Sequence, residues 1–226
     1  MSPLRVAVVG VGHLGQHHAR ILADMPGVSL VGVVDTDENR GREIGAQYKV
    51  TAYASASQIL DAVDAVSIAV PTSAHVAAAM PFIERGIAVL VEKPLAASLE
   101  EADRLVAAAR GRGVALAVGH TERFNPAVTA AKPLIKRPRF VEVHRLGVFP
   151  ERSLDIDVVF DLMIHDLDVL LALVGSEVVS VEAVGVNVLT PKTDIANARV
   201  KFANGCVANL TASRLSAERM RKIRVF

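Results

Sequence analysis

The chain has 226 residues, a formal net charge of +1 and one cysteine. That length allows one large domain or two modest ones with a core that needs no disulfide or metal staple. The dispersed charges leave no Lys/Arg block to track a nucleic-acid backbone or an anionic membrane surface, so neither partner is expected, and no metal is. With 51% hydrophobic residues, 4% aromatics and no Trp, the composition suits a helix-rich α/β protein. No apolar stretch is long enough to span a bilayer, and the N-terminal apolar run lacks a convincing cleavage site. A cytoplasmic protein is the default.

In chain order, Arg5 to Arg20 reads RVAVVGVGHLGQHHAR, an apolar strand, a tight turn and a helix. A strand so apolar is expected to be buried on both faces, as in a parallel sheet. Gly10 permits the turn, Gly12 lets backbone approach a pyrophosphate, and Gly15 lets helix and strand pack closely. The helix N-terminus offers its amides to an anion. A glycine pattern alone could be a mere connection, but a second strand, Val28 to Val34, ends in Asp35 about 20 positions on, where a dinucleotide site needs its acidic residue. That residue accepts ribose hydroxyls and repels a 2′-phosphate, which predicts NAD over NADP; Arg40, close enough to approach a phosphate, is the counter-indication.

A helix over Asp37 to Gln47, a short strand near Val50 to Ala52 and a helix over Ser57 to Ala62 follow. Ala65 to Val70 is the next buried strand, with Ser73 placed to cap a helix running to Arg85. Pro71, Thr72 and His75 fall on the carboxyl edge of the sheet, where open α/β sheets bind ligands. For His75 an ordinary surface position is the simpler reading. Ala88 to Val91 delivers Glu92-Lys93-Pro94 to the same edge, and the proline holds Lys93 extended; a solvated ion pair at a strand end fits the spacing equally. Ser98 and Glu101 form a capping box for a helix to about Arg110, and Val114 to Gly119 is a sixth strand, ending at His120. Six strands alternating with helices predict a doubly wound sheet over residues 1–120.

Beyond that the pattern changes. Asn125-Pro126 opens a helix, Arg139 to Gly147 alternates like a half-buried strand, Val158 to Val174 is helical, and Val178 to Leu189, Asn197 to Phe202, Val207 to Ser213 and Lys222 to Phe226 read as strands. Residues 121–226 therefore form an α+β domain with a mostly antiparallel open sheet. Cys206, within Gly205-Cys206-Val207-Ala208, reads as a small buried hydrophobe. In the helix from Val158, Val159, Leu162, Met163, Leu167, Leu170, Leu171 and Val174 recur at core spacing, while Asp157, Asp161, His165 and Asp168 line another stripe. Asp161 and His165, at i and i+4, can meet, an arrangement that raises and orients a general base. An acidic stripe that simply faces water fits as well.

The glycine turn, Glu92-Lys93-Pro94 and Asp161-x-x-x-His165, in this order across this domain change, resemble the oxidoreductase family named after glucose–fructose oxidoreductase, inositol dehydrogenase and MocA. Gly119-His120-Thr121-Glu122-Arg123-Phe124-Asn125-Pro126-Ala127-Val128 and Asp157 to Asp166 resemble its branch that oxidises the 3-hydroxyl of UDP-N-acetylglucosamine. The resemblance implies that His165 takes the hydroxyl proton, that Lys93 stabilises the oxygen's developing charge, that Asp161 holds His165, and that these residues meet in the cleft between the domains. It also places His13, Leu14, Thr36, Pro71, Thr72, His75, Glu92, His120, Arg123 and Asn125 around the cofactor, beside Gly10, Gly12, Gly15, Asp35 and Lys93. Arg145, Arg152 and Arg214 are candidate partners for a sugar diphosphate, with solvated surface arginines the simpler reading.

The family's second domain continues past the point where this sequence stops. A truncated sheet, or one covered by a second copy in a homo-oligomer, is the expectation. A free sugar or inositol as substrate, and a cofactor-binding protein without turnover, are the rival readings.

Overall fold

The computed structural model describes residues 2–149 and 156–226, which leaves Arg152 outside. The chain divides into two compact units, Met1–Gly119 and His120–Phe226.

In the first unit, strands β1 (Leu4–Val9), β2 (Val28–Val34), β3 (Thr51–Tyr53), β4 (Ala65–Ile68), β5 (Ala88–Val91) and β6 (Leu116–Val118) alternate with helices α1 (Gly15–Asp24), α2 (Glu38–Tyr48), α3 (His75–Glu84) and α4 (Leu99–Arg112). The strands form one parallel sheet of order β3-β2-β1-β4-β5-β6. Because side chains alternate along a strand, β1 feeds both faces: Val8 packs with Ala19, Val33 and Ile44 on one, Ala7 and Val9 with Ile68, Phe82, Ile83 and Leu105 on the other. The strand order reverses between β1 and β4, and a doubly wound sheet opens its ligand crevice at such a reversal.

Two local expectations differ. The helix over Ser57 to Ala62 is a single 3-10 turn, Ala56–Gln58, closed by a capping box between Ser55 and Gln58. Gln58 Oε1 accepts the Ala54 and Ser55 amides, which holds the segment as a capped turn. Ser73 caps nothing: it lies inside a 3-10 turn, Thr72–Ala74, started by Pro71, and α3 begins after Ala74 without a side-chain cap. At α4, Ser98 Oγ accepts the Glu101 amide, but the Glu101 carboxylate reaches back to Ala97 rather than Ser98.

The second unit holds α5 (Pro126–Ala131), β7 (Phe140–Leu146), α6 (Ile164–Val174), β8 (Val178–Val186), β9 (Ile195–Phe202), β10 (Val207–Ser213) and β11 (Met220–Val225). Its sheet runs β11-β7-β10-β9-β8, and only the β7–β10 pair is parallel. Met163, Leu170 and Val174 pack on Val141, Val143, Val200, Phe202 and Leu210 over one face. The helix expected from Val158 starts as a π turn, Val159–Met163, and becomes α-helical only from Ile164. Asp157 Oδ1 accepts the Val159 and Phe160 amides at its start. Asp161 therefore lies in the π turn and His165 in the α-helix that continues it. Leu171 is 48% exposed, and Val169 is buried in its stead. Strand β8 stops at Val186 rather than Leu189, because the amides of Val188, Leu189 and Thr190 all turn onto Asp194 Oδ2.

Candidate active site

Gly10 has φ +82° and sits so close to the end of β4 that a Cβ would lie 2.8 Å from the Ala69 carbonyl oxygen. A Cβ at Gly15 would lie 1.8 Å from the Gly10 carbonyl oxygen, so the helix can start there only without a side chain. At Gly12 nothing lies within 4 Å, which leaves the open approach a pyrophosphate needs. The first backbone bond of the helix is from Gln16 to Gly12. The amides of His13, Leu14 and Gly15 thus have no backbone acceptor among the described residues, and a helix N-terminus with spare amides suits an anion.

Asp35 closes the other end of this cradle. Its Oδ2 accepts the Val11 amide at 2.8 Å and its Oδ1 the Asp37 amide at 2.9 Å. A carboxylate offers about four acceptor positions, so capacity remains for ribose hydroxyls. Thr36 is exposed next to it. Arg40 donates to the Val11 carbonyl at 2.9 Å, to Gln16 Oε1 at 2.9 Å and to Glu43 at 2.8 Å, so its guanidinium is engaged beside the turn. These residues fit a dinucleotide.

At the ends of β4 and β5, His75 is 1% exposed, so the surface reading fails. Its ring nitrogens lie 2.9 Å from the Pro94 carbonyl and 3.0 Å from that of Val70. Any effect of His75 on a cofactor passes through those two backbone segments; Thr72, half-buried, and Pro71, exposed, lie between them and α3. Glu92 is 8% exposed rather than solvated. His18 Nε2 lies 3.1 Å from Glu92 Oε1, His18 Nδ1 lies 2.7 Å from Ser67 Oγ, and Glu92 Oε2 accepts the Lys93 amide at 3.2 Å. Burial pushes the Glu92 carboxyl up, but the hydrogen bond and charge of His18, with Lys93, outweigh it and hold its pKa below the ordinary carboxylate value. Lys93 itself is half-buried.

In the second unit Asp161 lies in the π turn and His165 in the first turn of α6, both half-buried. The acidic stripe does not face water. Asp168, 7% exposed, binds Arg123 through both carboxylate oxygens, which keeps the Arg123 proton on, and Asp166, 3% exposed, binds Arg145 at 2.7 and 2.8 Å. Arg145 also reaches Glu122 at 3.3 Å. Arg214 is 1% exposed, held by Asp194 at 2.8 Å, Thr190 and the Ile156 carbonyl. Arg145 and Arg214 are therefore interior cations with carboxylate partners, neither surface arginines nor uncommitted partners for a diphosphate. Asn125 caps α5 through the Ala127 amide, and His120 Nδ1 is buried without a hydrogen-bond partner among the described residues.

Reasoning from sequence missed His18, Asp166 and the Asp194–Arg214 pair. Ser67 in a strand expected to be buried was a usable signal, because an interior hydroxyl needs a partner. Among the described residues no helix is long and apolar enough to cross a membrane, and no group of three metal-ligating side chains occurs.

Residues 4–120 match the family model described as "Oxidoreductase family, NAD-binding Rossmann fold", and residues 137–226 match the GFO/IDH/MocA C-terminal domain. The chain is 45% identical to the UDP-N-acetylglucosamine 3-dehydrogenase of Acidithiobacillus ferrooxidans over 100% of its own length and 72% of that protein's. To the scyllo-inositol 2-dehydrogenase (NAD(+)) of Bacillus subtilis it is 30% identical, over 94% and 68%. The solved structure of the Acidithiobacillus enzyme, GnnA, superposes with a TM-score of 0.94, covering 100% of this chain and 75% of that one. GenD2 from gentamicin A biosynthesis, solved in complex with NAD, gives 0.90 at 27% identity, covering 100% and 70%. The glycine turn with its Asp35 clasp, the 3-2-1-4-5-6 sheet and these matches make one finding: the chain belongs to the Gfo/Idh/MocA family of oxidoreductases, whose Rossmann domain binds NAD.

Proposed function

We propose that this chain moves a hydride between nicotinamide and a sugar nucleotide, with the 3-hydroxyl of UDP-N-acetylglucosamine as the leading substrate. The observation that carries this reading is the 45% identity to UDP-N-acetylglucosamine 3-dehydrogenase along the entire chain. The first unit holds the cofactor: Asp35 and Thr36 take the adenosine ribose, the turn from Gly10 to Gly15 with the His13 and Leu14 amides takes the pyrophosphate, and Pro71, Thr72 and Lys93 flank the nicotinamide. His120, Arg123 and Asn125 contribute from the start of the second unit. NAD, when bound, supplies the hydride acceptor. His165 takes the hydroxyl proton, Asp161 orients its imidazole, and Lys93 donates to the oxygen as negative charge develops there.

The reading includes a cytoplasmic enzyme that self-associates through the second sheet. Strand β8 supports this: it is an edge of the sheet, with Val181 on the face of the core residue Val200 and Val184 on the opposite face each 60% exposed, and an apolar edge strand is a ready surface for pairing with a second copy.

The test is NADH formation from NAD and UDP-N-acetylglucosamine by the chain and by Lys93→Ala and His165→Ala. Both variants are expected to lose roughly 10²- to 10⁴-fold in kcat, the range of a positioned acid–base group. Turnover of inositols but not of the sugar nucleotide moves the assignment to a polyol dehydrogenase. NADH binding without turnover of either overturns the enzymatic reading.

A further inference from the structure

Lys93 follows directly on a buried carboxylate, and that carboxylate is anchored from the cofactor helix. His18 lies three residues after Gly15 on α1. A carboxylate can only accept, so the 3.1 Å contact to Glu92 Oε1 makes Nε2 the donor, and Nδ1 is left to the Ser67 hydroxyl at 2.7 Å. Ser67 is 3% exposed in β4. The second oxygen of Glu92 takes the Lys93 amide. On its remaining side Glu92 abuts Gly119, where a Cβ would lie 2.7 Å from Oε1. Thus α1 and β4 hold the carboxylate through the imidazole, the end of β6 blocks its retreat, and the carboxylate holds the backbone that presents Lys93.

We propose that His18 is a positioning residue for Lys93: it fixes the Glu92 carboxylate, and Glu92 fixes the Lys93 backbone at the end of β5. The inference rests on the reading that Lys93 acts on the substrate oxygen, but its geometry lies wholly within the first unit. An ammonium has to meet the reacting oxygen at hydrogen-bond distance, and a misplacement of about 1 Å can cost on the order of 100-fold in rate. A histidine suits the task because one ring reaches two partners on different strands and fills the space between them; glutamine keeps a donor for Glu92 while giving up the ring.

The test uses the chain and its His18→Leu, His18→Gln and Lys93→Met variants, with three readouts: hydrogen exchange of the Lys93 amide without cofactor, NADH affinity, and kcat. His18→Leu is expected to speed Lys93 exchange and lower kcat roughly 10- to 100-fold while NADH affinity stays within about threefold, and His18→Gln to restore most of both losses. Unchanged Lys93 exchange in His18→Leu overturns the proposal, as does a kcat loss that His18→Gln does not relieve. If His18→Leu fails to fold, Ser67→Ala, which removes one anchor of the ring, must show the same exchange change in smaller degree; an unaltered Lys93 amide there overturns the proposal too. Activity in Lys93→Met refutes the underlying assignment of Lys93. An inactive Lys93→Met beside a fully active His18→Leu refutes the positioning role alone.

Discussion

The two units keep their polar groups in opposite places. In the first, the buried side chains of the strands are apolar apart from Ser67, and the candidate site residues gather beyond the strand ends: Asp35 after β2, His75 past β4, Glu92 and Lys93 after β5. In the second, charge lies inside. Arg145 sits one residue from the end of β7 with Asp166 against it, and Asp194, just before β9, pairs with Arg214, just after β10, all four between 0 and 6% exposed. The contrast shows two ways of holding a site still. One exploits a sheet edge that topology already opens; the other nails a helix and its loops down with ion pairs that tolerate no missing partner.

The largest effect should come from breaking such a pair. Arg145→Leu leaves Asp166 buried and unpaired, which costs about 3–5 kcal/mol. Denaturant unfolding followed by hydrogen exchange should show protection lost in His120–Phe226 and kept in the first sheet. Equal loss in both would mean that the two stabilities are not separable. Gly12→Val sharpens the other side of the contrast. No neighbour obstructs its side chain, so the unfolding midpoint should hold while NADH binding weakens by about 1.5–3 kcal/mol, the worth of hydrogen bonds to a charged group. A fall in stability without a change in affinity would remove the pyrophosphate from that turn.

Mild acid should give the smallest effect and the most selective. Burial alone would push the Asp194 carboxyl up, but the Thr190 and Val188 amides, the Thr190 hydroxyl and Arg214 hold it well below the ordinary carboxylate range. A carboxyl depressed in the folded state contributes stability that is fully present above the unfolded value of about 3.9 and drains away as pH falls below it. Glu92 gives the first unit the same sign to a lesser degree. Exchange protection should therefore fade first in the β8–β9 loop and around Arg214 as pH drops through about 4. Simultaneous fading in the first sheet would count against this ordering.

How much of this was legible in the sequence follows the same divide. The first sheet could be read almost strand by strand, because parallel strands buried on both faces leave long apolar runs and glycines mark their exits. Where a segment was too short to show a period, as at Ser57 to Ala62, the reading failed. The second unit yielded its strands but not what holds them. Arg145 and Asp166 are 21 residues apart, and Asp194 and Arg214 are 20; nothing local distinguishes such partners from surface charges, since only the fold brings them together. His75 and His18 stayed hidden for the same reason, their partners being a carbonyl 19 residues away and a serine 49 away.

The parallel pairing of β7 with β10 has a last consequence. Parallel neighbours cannot be joined by a hairpin, so the chain between them must travel back across the sheet, and that return journey carries the π turn, α6, β8 and β9. The segment bearing Asp161 and His165 lies in that crossover, and its Met163, Leu170 and Val174 pack with Val141, Val143 and Leu210 of the parallel pair. Such long-range closure is slow to form, and it ties the burial of that sheet face to the seating of the helix that covers it.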